Sequence, residues 1–195
     1  MFILASASPR RKELLEQIGC SFRIEVSDAE EAGGRGMTPP ELVMKNAHLK
    51  AAAVAARYPD IPVLGADTVV SLDGNIYGKP RDKEHAREML TRFSGRVHQV
   101  TTGIALVWKG HLWQACETTE VAFAPLSAAA ITRYIETGEP ADKAGAYGIQ
   151  GRAAVFIEQI RGSYSNVVGL PLHCLDGLAE KAGIDLYGNG EGASG

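Results

Sequence analysis

The sequence predicts an α/β fold built on a mixed sheet with flanking helices, and three observations carry that prediction. The chain opens on an apolar strand, a tight loop and a capped helix, the unit from which parallel sheets are assembled. Two long runs, Val97 to Val107 and Leu112 to Phe123, read as strands joined across Lys109-Gly110 and add antiparallel pairing. Apolar residues make up 45% of the 195 residues, which supplies a core without disulfides or a structural metal.

Taken in order, Phe2 to Ala5 reads as the first strand. Ser8 as N-cap and Pro9 at the first helical position open a helix that runs through Ile18 and closes at Gly19. Ser21 to Val26 alternates as a second strand, followed by an acidic, glycine-rich loop from Ser27 to Met37. Thr38-Pro39-Pro40-Glu41 has capping-box spacing and predicts a long helix to about Arg57. Val63 to Leu72 is the next strand, and Asp73-Gly74 a hairpin-type turn. Asp82 caps a helix reaching Phe93, ended by Ser94-Gly95. After the two long strands, Ser127 begins a helix that Gly138 ends. Asp142 to Arg152 is expected as a glycine-punctuated loop, Ala153 to Ile160 as a strand, Gly162 to Asn166 as a polar loop, and Leu170 to Ala182 as the last helix. A single domain over residues 1–187 is expected, with 188–195 too poor in apolar surface to order itself and so a flexible Gly-rich tail.

The balance of 20 Lys and Arg against 23 Asp and Glu gives a net charge of -3, with no long basic block, so a nucleic-acid backbone is not the expected partner. Cys20, Cys116 and Cys174 are odd in number and far apart, which suggests neither a disulfide framework nor a zinc knuckle. Met1 to Ala5 lacks a basic leader and no run approaches the length of a spanning helix. A cytoplasmic protein without a membrane partner is expected.

Four segments could carry chemistry. Ser6-Ala7-Ser8-Pro9-Arg10-Arg11-Lys12 places three cations in the first turn of a helix whose N-terminus is already positive. A bound phosphate would relieve that conflict, and Arg11 would then be dispensable for folding. The alternative is that Arg10 and Lys12 pair along the helix with Glu13 and Glu16. In Val63-Leu64-Gly65-Ala66-Asp67-Thr68-Val69-Val70, one carboxylate interrupts an apolar strand, which is costly unless it is paired or bound to a cation. Glu30-Glu31 in the acidic loop could complete a magnesium site with Asp67, although on its own such a loop is more often just solvated. Gly78-Lys79-Pro80 is not a P-loop, because Pro80 stands where Ser or Thr would bind the metal, yet Lys79 could still neutralise a phosphate. Finally, the glycines of Lys143-Ala144-Gly145-Ala146-Tyr147-Gly148-Ile149-Gln150-Gly151 allow close backbone approach to a ligand. The five histidines show no metal-ligand spacing, and His98 is expected to be a strand residue bonded to a loop.

These blocks occur in one order from residue 2 to about 182: Leu4 to Arg11, Gly65 to Val70, Gly78-Lys79-Pro80, His98 to Gly103, Lys143 to Gly151, and Gly162 to Pro171. Together they resemble the Maf family of nucleotide pyrophosphatases, in the branch acting on dTTP and UTP. The resemblance implies an elongated sheet with two lobes around a central cleft, similar to the inosine triphosphate pyrophosphatase fold. It implies a divalent cation, Mg or Mn, and hydrolysis of a nucleoside triphosphate to monophosphate and pyrophosphate. It also implies roles for Ser6, Arg11, Glu31, Lys50, Asp67 and Lys79. Glu30 stands where relatives often have Asp, so the choice between Glu30 and Glu31 as metal ligand stays open. The family is further associated with septum formation, cell-division arrest and removal of non-standard nucleotides.

The expected reaction is in-line attack of water on the alpha phosphorus, with Asp67 as general base or metal ligand or both, Glu31 as the second ligand, and Lys50, Lys79 and Arg11 stabilising the developing charge. Ser6 and Ser8 are the phosphate-side hydroxyls. Arg10, Thr68 and Gln150 are expected to read the base. The Gln150 amide offers the donor and the acceptor that uracil and thymine require, while cytosine presents the opposite pattern at one position. The related branch acting on 7-methyl-GTP has Trp, Gln and Glu where this chain has Arg10, Thr68 and Gln150. A non-catalytic nucleotide-binding regulator, a phosphomonoesterase and a 7-methyl-GTP pyrophosphatase are the competing readings. The expected partner is the nucleotide, and a homodimer is compatible with the sequence.

Overall fold

The computed structural model describes residues 1–187, so the expected tail, 188–195, lies outside the described residues. The sheet is mixed, as the sequence predicts, and has seven strands. Strand β1 (Phe2–Leu4) leads through helix α1 (Pro9–Gln17) to β2 (Phe22–Ile24), and β1 lies parallel to both β2 and β3 (Val63–Leu72). The remaining pairings are antiparallel: β3 with β4 (Asn75–Tyr77), β3 with β5 (Val97–Trp108), β5 with β6 (His111–Phe123), and β6 with β7 (Ile157–Arg161). The path order is β2-β1-β3-β5-β6-β7, with β4 beside β3.

Helix α2 (Pro39–Ala55) starts where the capping box predicts: the Thr38 hydroxyl accepts from the Glu41 N–H, and the Glu41 carboxylate accepts from the Thr38 N–H. It lies on one face of β3 and β5 at backbone contact distance. A Cβ on Gly65 would stand 2.2 Å from the Ala47 carbonyl oxygen, and one on Gly103 would stand 2.6 Å from the Val43 carbonyl carbon. Glycine at these two positions is what brings the helix onto the sheet. On the opposite face, α1 and α6 (Leu172–Ala182) cover Leu64, Ile104 and Leu106 with Leu14, Leu15, Leu175 and Leu178. A second core gathers Phe93 of α3 (Lys83–Phe93), Ile131 and Tyr134 of α4 (Ala128–Glu136), and Val70, Val100, Phe123 and Tyr147. Strands β3, β5 and β6 run through both cores, giving two lobes with a cleft between them.

Three boundaries differ from the sequence reading. Asp73-Gly74 does turn the chain, but the three-residue return strand β4 is too short to show alternation. The strand expected over Ala153 to Ile160 is a 3₁₀ turn, Arg152–Phe156, followed by β7. Its apolar residues Ala153 and Phe156 are buried three apart, a helical spacing. The polar loop expected at Gly162 to Asn166 is partly a short helix, α5 (Tyr164–Val168), because the Ser163 hydroxyl caps the Asn166 N–H. All three cysteines are free thiols. No helix among the described residues is long and apolar enough to cross a membrane.

Candidate active site

The cleft arises from a gap in strand pairing. β1 accompanies β3 only through Leu64, whose carbonyl accepts from the Ala5 N–H at 2.8 Å, and β4 joins β3 only from Val70 onward. Between them the β3 edge from Gly65 to Val69 has no strand neighbour on that side, and Asp67, Thr68 and Val69 line a cavity of about 1160 Å³. Its walls are the Ser6 to Arg11 turn, the acidic loop, α2, the β4 hairpin and the Lys143 to Ile149 loop.

Asp67 is the buried anion of this floor, and both of its oxygens are engaged. Oδ1 accepts from Lys50 Nζ at 2.7 Å and Oδ2 from Asn46 Nδ2 at 3.1 Å. Lys50 Nζ also meets Glu31 Oε1 at 2.7 Å, so two carboxylates converge on one ammonium. That hydrogen bond holds the Glu31 carboxyl below its usual range, with Lys79 and Arg11 adding electrostatic attraction. Glu30 is exposed and off the cleft wall, so Glu31 is the acidic-loop residue at this centre. Asn46 and Lys50 are four apart on α2 and therefore share a face. The Asn46 amide also pairs with Ala32, accepting from its N–H at 2.8 Å, and so fastens the acidic loop beside Asp67. The sequence reading missed Asn46; its trace was a polar residue one helical turn before Lys50, set among the other polar residues Lys45 and His48.

At the α1 end, Ser8 has the extended backbone of an N-cap, but its side chain makes no cap bond; its N–H donates to Ser6 Oγ at 3.2 Å. The first turn holds no acidic residue, and its end opens on the cleft. Lys12 pairs with Glu16 at 3.3 Å on the helix surface, whereas Arg10 reaches across to Asp142 at 3.6 Å rather than to Glu13. The expectation that Arg11 is dispensable for folding needs correction. Its guanidinium is buried and donates to the Gly169 carbonyl at 2.8 Å, Ser6 Oγ at 3.0 Å and Thr68 Oγ1 at 3.1 Å. Burial lowers its pKa, against the attraction of Asp67. Arg11 ties α1 to β3 and to the α5–α6 turn, and one N–H on each terminal nitrogen remains for a ligand.

Lys79 lies exposed on the cleft wall below β4, anchored where the Gly145 N–H meets the Gly78 carbonyl at 3.0 Å. Gln150 is not brought in: Tyr147, Gly148 and Ile149 line the cleft, while Gln150 is exposed beside them. The loop closes around Glu139, which accepts from Tyr134 Oη at 2.9 Å and from the Arg152 N–H at 3.0 Å, and this leaves Gln150 outside. His98 does bond a loop, through Nε2 to Tyr147 Oη at 2.8 Å, and burial pushes its pKa down to about 4. Thus Ser6, Ser8, Arg10, Arg11, Glu31, Lys50, Asp67, Thr68 and Lys79 share one cleft.

Among the described residues no cluster of three or more His, Cys, Asp or Glu could hold a metal alone. Two carboxylates do converge, however, and Mg needs only one or two beside water and substrate phosphate. The donor set at Glu31 and Asp67 therefore fits a divalent cation.

The fold is similar to that of the Staphylococcus aureus Ham1 protein, with a TM-score of 0.56 and 15% identity over 93% of this chain and 98% of that one. A dTTP/UTP pyrophosphatase of Symbiobacterium thermophilum is 53% identical over 190 residues, 97% of this chain and 98% of the relative. Another, from Bacillus cytotoxicus, is 50% identical over 88% of this chain and 90% of the relative. With residues 1–182 also matching the family model described as Maf-like protein, the chain belongs to the Maf family.

Proposed function

We propose that this protein hydrolyses dTTP and UTP to the corresponding monophosphates and pyrophosphate. The observation that carries the mechanism is the convergence of Glu31 and Asp67 on Lys50 inside an open cleft. Water attacks the alpha phosphorus, its proton passes to an Asp67 oxygen, and the bond to the bridging oxygen breaks with its electron pair leaving on pyrophosphate. Each carboxylate oxygen of Asp67 keeps a free lone pair beside its present bond, which suits it to orient and accept from that water. A divalent cation, Mg or Mn, held by Glu31 and Asp67, would supply charge neutralisation on the phosphate oxygens. Lys50 keeps the two carboxylates together. Lys79, Arg11 and the open end of α1 with the Ser6 and Ser8 hydroxyls supply donors to the phosphate chain.

For the base, Arg10 and Thr68 are the readers already on the cleft wall, and Gln150 joins them only by turning inward. The absence of Trp, Gln and Glu at positions 10, 68 and 150 supports a pyrimidine over 7-methyl-GTP. Purified protein given a nucleotide panel with Mg or Mn, read by product chromatography, tests the reading. Pyrophosphate with dTMP or UMP is the expected outcome, lost on chelation and restored by the metal. Orthophosphate would favour a phosphomonoesterase, no product a regulator, and faster cleavage of 7-methyl-GTP the other branch.

A further inference from the structure

The cleft contains six cations, and their partners divide them. Lys50 is shared by Glu31 and Asp67, Arg10 faces Asp142, and Lys143 donates to Asp142 and to the Glu139 carbonyl. Arg11 is committed to three neutral acceptors. Among the described residues only Lys79 and Arg35 line the cleft without a hydrogen-bond or ion-pair partner. Lys79 already faces the phosphate chain in the proposed reaction, whereas Arg35 has no part in it.

Arg35 sits at the tip of a short turn whose two ends are fastened. Asn46 holds Ala32 on one side, and the Thr38–Glu41 box fixes the other. Between them the Met37 N–H reaches the Gly34 carbonyl at 3.3 Å, and Gly36 takes the positive φ of 75° that closes the turn. Gly34 packs against Ile76 of β4, at 3.5 Å from a built Cβ, and β4 leads directly to Lys79. The turn therefore packs on β4, the strand that leads to Lys79, and lines the same cleft as Lys79 and Asp67.

We propose that Arg35 binds the outer two phosphates of the substrate, the portion released as pyrophosphate, together with Lys79. This rests on the pyrophosphatase reading of the same cleft. An unpaired guanidinium offers parallel N–H donors that match phosphate oxygens, and cleavage adds charge to that portion, so the contact strengthens as the bond breaks.

The test is calorimetric binding of inorganic pyrophosphate and, separately, of dTMP, with Mg present, to the wild-type protein and to Arg35→Ala and Arg35→Lys, beside the KM for dTTP. Arg35→Ala is expected to weaken pyrophosphate at least about tenfold, the scale of one charge-assisted bond. It should raise the KM for dTTP, leave dTMP binding and the melting temperature unchanged, and be partly restored in Arg35→Lys. Unchanged pyrophosphate binding, or equal weakening of pyrophosphate and dTMP, would overturn the assignment. A wild-type protein that releases no pyrophosphate from dTTP would instead overturn the reading of the site, and pyrophosphate binding would still report on Arg35 by itself.

Discussion

Substituting Gly65 by alanine should disable the site from beneath without touching any residue in it. The added Cβ would lie 2.2 Å from the Ala47 carbonyl oxygen and 2.8 Å from the Ala51 nitrogen, both backbone atoms of α2, where ordinary contact begins at 3.4 Å. Neither atom can rotate away, so the helix must withdraw by about 1 Å. Asn46 and Lys50 ride on the same helix, and their bonds to Asp67, 3.1 and 2.7 Å, would stretch beyond hydrogen-bond range. Overpacking of this kind costs about 1–3 kcal/mol, which for a chain of this size lowers the melting temperature by a few to about ten degrees. The displacement at the reacting groups should lower kcat/KM for dTTP by roughly 10²-fold, the effect of a 1 Å misplacement. Calorimetry gives the first quantity, and steady-state kinetics well below the melting temperature gives the second. A stability loss with full activity would refute the view that α2 positions the centre, and no loss of either would refute the close packing.

Three further outcomes are expected. Asp67→Asn should retain nucleotide binding while turnover falls at least ~10²-fold, measured by binding titration and kinetics; near-normal turnover would remove Asp67 from the general-base role. Arg11→Ala should lower both melting temperature and activity, because three buried bonds lose their donor; an activity loss alone would make Arg11 a purely substrate-facing group. The buried His98 has its pKa lowered to about 4, so the unfolded chain takes up that proton first. Its contribution to stability is present above about pH 6.5 and drains away as pH falls toward 4, on the order of 3 kcal/mol in all. A His98→Gln variant should flatten that part of the stability–pH curve, and an unchanged slope would place the titration elsewhere.

Much of this was legible in the chain because it rests on local signals. Thr38-Pro39-Pro40-Glu41 announces α2 through a four-residue rule, and Asp67 stands out as a charge within an apolar strand. The order of the longer strands and helices follows from periodicity and punctuation. What stayed hidden depends on distant partners. Asn46 looks like any polar helix residue until Ala32 and Asp67 arrive beside it. Arg11 reads as a helix-end cation, yet its acceptors come from Gly169 and Thr68, far along the sequence. Gln150 sits in a glycine-rich loop whose path is set by Glu139 and Tyr134, and nothing in its own neighbourhood says that it faces outward. Short elements such as β4 and α5 escape periodicity because they complete less than two repeats of any pattern.

In the proposed reaction water attacks the alpha phosphorus and pyrophosphate departs intact. Turnover of dTTP in oxygen-18 water, with the products separated and weighed by mass spectrometry, measures this directly. One labelled oxygen in dTMP and unlabelled pyrophosphate are the expected result. Label in pyrophosphate, or release of dTDP and orthophosphate, would contradict it.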